Sequence, residues 1–227
     1  MNFIEGEVLL FDKPYGWSSF QLVNKIRYII CKKLGIKKLK VGHAGTLDPL
    51  ATGLMLLCTG KATKQIDALM GTDKEYIADI HFGETTPSYD SETEVDKTYP
   101  FEHISLELLN KGLLSQTGLI KQQPPIFSAK KVNGVRAYKL AREGSENILK
   151  EKEIEIHKLD IIDFNLPDLV LKVNCSKGTY IRSLANDLGK ELNSGAYLKG
   201  LKRTKIGSYK VEDAWELKNF EKSLESM

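Results

Sequence analysis

The segment Val41-Gly42-His43-Ala44-Gly45-Thr46-Leu47-Asp48-Pro49-Leu50-Ala51-Thr52-Gly53-Leu54 restricts the fold more than any other part of the chain. It sets three glycines, a histidine and one carboxylate ahead of the apolar run Leu54-Met55-Leu56-Leu57-Cys58. The glycines let the backbone turn sharply or approach a neighbour closely. Pro49 fixes its own φ and drives Asp48 out of the helical region. Asp48 is therefore expected on an irregular loop just before a buried strand, where a rigid scaffold can present chemistry. From Lys13 to Leu47 there are eight cations and no Asp or Glu. A lone acid at the end of such a segment pairs a cation, closes an Asx-turn before Pro49, or reacts. The residues alone leave these readings open.

Charge is segregated along the whole chain, although the net charge is only +3 over 227 residues. Leu108 to Arg142 holds seven cations and Leu192 to Val211 five, both without an acid. Asp73 to Glu107 is the reverse, with ten acids against Lys74 and Lys97. Three basic segments that converge would make a phosphate-binding face. The length and an apolar content of 41% suit one large domain. Cys31, Cys58 and Cys175 are odd in number and far apart, which argues against a disulfide framework or a paired-cysteine zinc site. No apolar run nears membrane-spanning length, and the N-terminus lacks a basic start followed by an apolar core. A cytoplasmic protein with no membrane partner is expected.

Val8 to Phe11 reads as a short buried strand. Ser18 or Ser19 caps a helix whose apolar face is Phe20, Val23, Ile26, Ile29 and Ile30. Lys32 to Lys40 is a basic loop. Gly60-Lys61-Ala62 invites a phosphate-loop reading that fails, because Met55 stands where the first glycine is required and Ala62 where the metal-binding hydroxyl must be. Thr59 is expected to cap a helix over Lys61–Met70. Tyr76, Ala78, Ile80 and Phe82 alternate on a strand, with Tyr76 a core aromatic by default. Glu84 to Tyr99 reads as a polar loop, and Ser105 opens a helix. Asn133-Gly134 marks a tight hairpin, followed by a short basic helix from Arg136 to Arg142. Lys152–Asp163 and Leu169–Cys175 form a strand pair around Leu166-Pro167-Asp168. Thr179 is expected to cap a helix on which Arg182, taken alone, would be a surface residue. The pattern is an α+β fold: a mixed, mostly antiparallel sheet flanked by helices.

Gly42 to Gly53 resembles the signature of the TruB family of tRNA pseudouridine synthases. Further segments agree over roughly residues 7–211: Lys13-Pro14-Tyr15-Gly16-Trp17-Ser18-Ser19, Lys74-Glu75-Tyr76, Gln122-Gln123-Pro124-Pro125 with Ser128-Ala129, Gly178-Thr179-Tyr180-Ile181-Arg182, and Ala196 to Gly207. The resemblance implies a pseudouridine synthase fold with an RNA-gripping insertion near residues 121–150. It implies isomerisation of uridine 55 in the T-loop of tRNA, with no metal and no cofactor. Asp48 would be the catalytic nucleophile, acting at the sugar carbon, at the base ring or on a sugar proton. Arg182 would pair with Asp48, Tyr76 would stack on the target base, and Tyr180 and Leu201 would line its pocket. His43 would fill the place left by the flipped base, and the Lys13-Pro14 motif would support the active-site loop. Lys130, Lys131, Arg136 and Arg142 on the insertion, with Lys202 and Arg203, would contact RNA. The partner would be the T-arm stem-loop of tRNA, and the protein a monomer. The domain expected is a single catalytic one over residues 1–227, in the form of the family that lacks a PUA-type RNA-binding domain. The alternative is a catalytically inactive RNA-binding or tRNA-folding chaperone on the same fold, against which the intact set of Asp48, Tyr76 and Arg182 speaks.

Overall fold

The computed structural model describes residues 1–128, 131–132, 135–136 and 149–225, the two short pairs by their backbone alone. In chain order the elements are β1 (Val8–Lys13), α1 (Ser19–Leu34), β2 (Val41–His43), β3 (Ala51–Thr59), α2 (Ile66–Met70), β4 (Lys74–Phe82), β5 (Glu84–Thr85) and β6 (Lys97–Thr98). They continue as α3 (Leu106–Ser115), β7 (Gly118–Gln122), β8 (Lys131–Val132), β9 (Val135–Arg136), β10 (Lys152–Asn165), β11 (Asp168–Cys175), α4 (Ile181–Glu191), β12 (Ala196–Ile206), β13 (Tyr209–Lys210) and α5 (Leu217–Glu225). This is the mixed, mostly antiparallel α+β architecture that the patterning predicts. The chain divides into two compact units, Met1–Tyr76 with Leu201–Met227, and Ile77–Gly200. Both divisions fall inside strands, β4 and β12, where composition carries no linker signal.

In the first unit, β3 is the organising strand. Its burial is nearly continuous, with strands paired along it. β1 pairs with it antiparallel from Val8↔Cys58 to Lys13↔Gly53. β2 pairs antiparallel from Val41↔Thr59 to His43↔Leu57. Leu201, Lys202 and Arg203 of β12 pair parallel with Ala51, Thr52 and Gly53. Ala44, Leu54, Leu56, Ile206 and Val211 form one core cluster. Phe220 of α5 meets Phe3, Phe11 and Trp215 edge-on.

Helix α1 starts at Ser18, whose side chain accepts from the Gln21 N–H while Gln21 reaches back to the Ser18 N–H. Its buried stripe is Leu22, Val23, Ile26 and Ile30. Phe20 departs from the sequence reading: it is 68% exposed. It lies roughly 100° round the helix from the middle of that stripe, so its apolar character does not put it on the core face. Thr59 caps no helix either. Its hydroxyl accepts from the Glu7 N–H at 3.0 Å, and the chain goes on as a 3₁₀ turn, Gly60–Gln65, before the short α2.

In the second unit the strand order is β4-β11-β10-β7. β10 pairs antiparallel with β11 and with β7. Helix α3, capped by Ser105, lies close to α4: a Cβ at Gly112 would meet Leu192 at 2.8 Å and Leu188 at 3.3 Å. The Glu84–Tyr99 segment is not wholly irregular, since β5 and β6 pair within it. The cap of α4 is Tyr180, not Thr179. Thr179 Oγ1 donates to the Ser176 carbonyl at 3.0 Å. The start of α4 is held from another strand: the Tyr180 N–H donates to Gln122 Oε1 at 2.8 Å, and Gln122 Nε2 donates to the Tyr180 carbonyl at 3.1 Å. β8 and β9 pair across Val132↔Val135, as a hairpin turning at 133–134 requires. Arg136 ends β9 and so does not open a helix. The turn itself, and the basic helix expected to run to Arg142, lie outside the described residues. Among those residues no helix is long and apolar enough to cross a membrane.

Candidate active site

The Asp48 loop joins β2 to β3, and it is built largely by backbone contacts. Asp48 is half-buried between buried Leu47 and exposed Pro49. Its own carbonyl accepts from the Ala51 N–H at 3.1 Å and closes the turn, so no Asx closure is needed to explain the bend. Ser19, at the start of α1, clasps Leu47: its hydroxyl accepts from the Leu47 N–H and donates to the Leu47 carbonyl, both at 2.9 Å. The Gly16 N–H donates to the Pro49 carbonyl at 2.9 Å, and the Ala44 N–H to the Leu56 carbonyl at 2.9 Å.

Two buried cations complete the brace. Lys13 Nζ donates to the carbonyls of Trp17 (2.6 Å), Pro14 (3.0 Å) and Pro49 (3.3 Å). Burial pulls its pKa from 10.5 down to about 8; the Asp48 carboxylate opposes that shift, Arg203 adds to it, and Asp12 opposes it. Arg203, expected to face RNA, is instead 1% exposed. Its Nε donates to the Leu54 carbonyl at 2.8 Å and its Nη2 to the Gly45 carbonyl at 3.2 Å. This corrects the expectation of an RNA contact: Arg203 belongs to a basic run, but parallel pairing with β3 turns its side chain under the signature loop. Lys202, its neighbour, points the other way and is exposed, as alternation along a strand demands.

Gly53 shows why the signature needs glycine. Its φ is +102°, and a Cβ there would lie 2.3 Å from the Arg203 carbonyl oxygen and 2.6 Å from the Arg203 nitrogen. Gly53→Ala is expected to destabilise the protein by about 3 kcal/mol or more, read from urea unfolding. A loss below about 1 kcal/mol would mean that the β3–β12 contact relaxes freely.

Lys13 yields a pH dependence with a definite sign. Its folded pKa, about 8, lies below the unfolded value of 10.5. Between these values the unfolded chain keeps the proton that the fold has lost. The stability Lys13 contributes is therefore fully present above about 10.5 and is lost as pH falls through about 8. Relative to Lys13→Met, the wild type is expected to gain about 3 kcal/mol of unfolding free energy from pH 7 to pH 10.5. Paired urea titrations check this; a flat difference would mean that Lys13 titrates near its ordinary pKa.

His43 ends β2, half-buried, and is not a solvent-exposed turn residue. Burial, followed by the Arg203 cation, lowers its pKa, while the Gly45 backbone pulls the other way. Its Nδ1 is buried and makes no complete hydrogen bond among the described residues. Burial and the nearby Arg203 cation thus both disfavour the charged form of the ring. Tyr76, 8% exposed, lies on β4, and half-buried Leu201 pairs with Ala51.

The second unit carries the other residues. Arg182 is no surface residue: it is 4% exposed. Its Nη2 donates to the Phe127 carbonyl at 2.9 Å, its Nη1 to the Ser88 carbonyl at 3.3 Å, and Nη1 lies 3.4 Å from Asp90 Oδ2. Asp90 is itself buried, and its Oδ1 accepts from Ser88 Oγ at 2.6 Å and from the Glu92 N–H at 3.0 Å. Sequence reasoning missed Asp90 among the ten acids of its segment. The signal that could have found it is the run Thr86-Pro87-Ser88-Tyr89-Asp90, rich in turn formers that can bury a carboxylate with its own loop. Tyr180, half-buried, sits two residues before Arg182 at the start of α4. Of the expected RNA contacts on the insertion, Lys130 and Arg142 lie outside the described residues, and Lys131 and Arg136 are described by backbone alone. Among the described residues no group of three or more His, Cys, Asp or Glu side chains is disposed to hold a metal ion.

Residues 32–181 match the family model described as TruB family pseudouridylate synthase (N terminal domain). The chain is 57% identical to the tRNA pseudouridine synthase B of Phocaeicola vulgatus, over 97% of this chain and 94% of that one. It is 53% identical to the tRNA pseudouridine synthase B of Flavobacterium johnsoniae, over 99% of this chain and 98% of that one. Among solved structures, a chain of a Cbf5-Nop10-Gar1 complex superposes with a TM-score of 0.72 at 26% identity, over 97% of this chain. The present chain spans 54% of that longer one.

Proposed function

The chain belongs to the TruB family of pseudouridylate synthases, and from that premise we propose that it converts uridine 55 in the T-loop of tRNA to pseudouridine, with Asp48 as the nucleophile. The observation that carries this reading is the bracing of the Asp48 loop. Ser19, Lys13 and Arg203 fix the backbone on both sides of one carboxylate. An enzyme needs such a prepositioned group when substrate binding must bring a reacting atom to it. The names of the similar proteins, tRNA pseudouridine synthase B, support tRNA as the substrate class.

The target uridine is stacked inside its loop, so it is flipped out before reaction. The neutral His43 ring fills the vacated space; a protonated ring would bring a desolvated charge into the stack. Tyr76 stacks on the flipped base, and Tyr180 and Leu201 close its pocket. With Asp48 engaged, the N1–C1′ bond breaks, the uracil turns, the C5–C1′ bond forms, and the C5 proton is lost as N1 regains one. Arg182 keeps Asp48 ionised and aimed, since a guanidinium holds its charge at every working pH. Lys130, Lys131, Arg136, Arg142 and Lys202 hold phosphates.

The test is incubation with an unmodified tRNA transcript. Carbodiimide adducts that survive alkali are then mapped by reverse-transcription stops. A stop one nucleotide 3′ of position 55 that grows with time is expected. A transcript left unmodified at that position by folded wild-type protein would overturn the reading.

A further inference from the structure

The basic run after α1 has no part in the site just described, yet it forms a groove. Gly35 caps α1 in the left-handed conformation, φ +64°. The Ile36 N–H then bonds back to the Cys31 carbonyl at 3.1 Å. That reversal lays Lys37, Lys38 and Leu39 beside Arg27, Tyr28 and Cys31 of the helix and encloses a cleft of about 510 Å³, within the range of ligand clefts.

Several cations of this region have a structural reason. Lys25 pairs with Glu221 at 2.6 Å. Lys32 and Lys33 lie in the last turn of α1, where the helix dipole favours positive charge. Arg27, Lys37 and Lys38 are different. Among the described residues none of them pairs with a carboxylate, and the Lys13–Leu47 segment supplies none. Arg27 is held instead by a neutral partner, its Nη2 donating to Asn24 Oδ1 at 2.6 Å, which fixes the guanidinium without cancelling its charge. Tyr28, beside it in the cleft, is 63% exposed. Three uncompensated cations around an exposed aromatic ring suit a sugar-phosphate backbone with a base to stack.

The helix also sets the distance to the reaction. Ser19 at its start clasps Leu47, next to Asp48. Arg27 and Cys31 lie about 12 and 18 Å further along the axis. A strand stacked at about 3.4 Å per nucleotide spans that distance in about four to five nucleotides. We propose that the Arg27–Lys38 groove is a second RNA-binding subsite, which holds phosphates of the substrate several nucleotides away from the target uridine. This rests on the reading of the chain as an enzyme acting on tRNA.

Cys31 makes the groove testable in the native protein. Cys58 and Cys175 are fully buried, and burial also pushes the Cys58 thiol pKa up. Cys31 is the partly exposed thiol of the three and lines the groove. Maleimide labelling of wild-type protein is followed by mass spectrometry of the Cys31 peptide, with and without saturating unmodified tRNA. Pseudouridine formation is measured in the same tubes. Labelling of Cys31 is expected to slow at least about tenfold with tRNA. In parallel, Arg27→Ala/Lys37→Ala/Lys38→Ala, checked for an unchanged melting temperature, is expected to raise KM for tRNA about tenfold or more with kcat within about twofold. The slope of log affinity on log salt should fall by about two units. Unchanged labelling at saturating tRNA, or an unchanged salt slope, overturns the subsite even if pseudouridine forms. Absence of pseudouridine with wild-type protein instead overturns the catalytic reading, whatever Cys31 reports.

Discussion

Asp48→Asn is expected to lower kcat at least about 10³-fold while leaving the Kd for tRNA within about threefold, because phosphate contacts supply most RNA affinity. The change keeps the size of the side chain and removes its charge. The fold is expected to tolerate it. The braces of the loop run to the Leu47 backbone and to the Pro49 and Gly45 carbonyls. A second effect follows from Lys13. The Asp48 carboxylate holds the Lys13 pKa up against burial, so its neutralisation lets that pKa fall below about 8. The unfolded value stays the same, so the window in which stability falls with decreasing pH still begins near 10.5 but reaches to lower pH in the variant, and its total loss is larger than in the wild type. Single-turnover kinetics and filter binding on the same preparation check the main claim. Turnover within tenfold of wild type would take the nucleophile's role away from Asp48.

The sequence made the Asp48 loop and its strand legible because the signals there are local. Gly42, Gly45, Pro49 and Gly53 act on their own backbone, and the apolar run after Gly53 can only be buried. The same holds for the Ser18 cap and for the alternation in β4. What stayed hidden was decided by partners far off in the chain. Arg203 looks like one more cation of a basic run until its pairing with Gly53 turns it under the loop. Tyr180 takes the cap position of α4 because Gln122, on β7, satisfies its backbone. Phe20 is apolar, but helix phase keeps it off the core, and phase errors of one residue cannot be seen in a short stripe. Burial of charge is the hardest of these to read from sequence. Lys13, Asp90, Arg182 and Arg203 are all buried, and composition presents each as a surface residue.

Arg182→Lys is the variant that separates charge from anchoring. The guanidinium reaches Phe127, Ser88 and Asp90 at once. An ammonium is a point charge without a planar fork, so it can satisfy at most part of that set. A buried acceptor left unsatisfied costs about 1–3 kcal/mol, so the melting temperature is expected to fall by several degrees. If Arg182 also aims and ionises Asp48, kcat falls by about 10²-fold or more at a temperature where the variant is fully folded. Asp90→Asn is the comparison that makes this decisive. It removes the carboxylate charge that Arg182 meets in its own unit, keeps the side chain's shape, and leaves the guanidinium in place. Both changes disturb the same buried Arg182–Asp90 contact, so both variants are expected to melt several degrees below wild type. If Arg182 serves Asp48 as proposed, their turnover should not match: Asp90→Asn is expected to stay within about tenfold of wild type, because the guanidinium is kept. Equal losses of turnover in the two would place the contribution of Arg182 in holding the Ser88–Asp90 segment, and the ionisation of Asp48 would then depend on Lys13 and Arg203, the cations already within Coulombic reach of its loop.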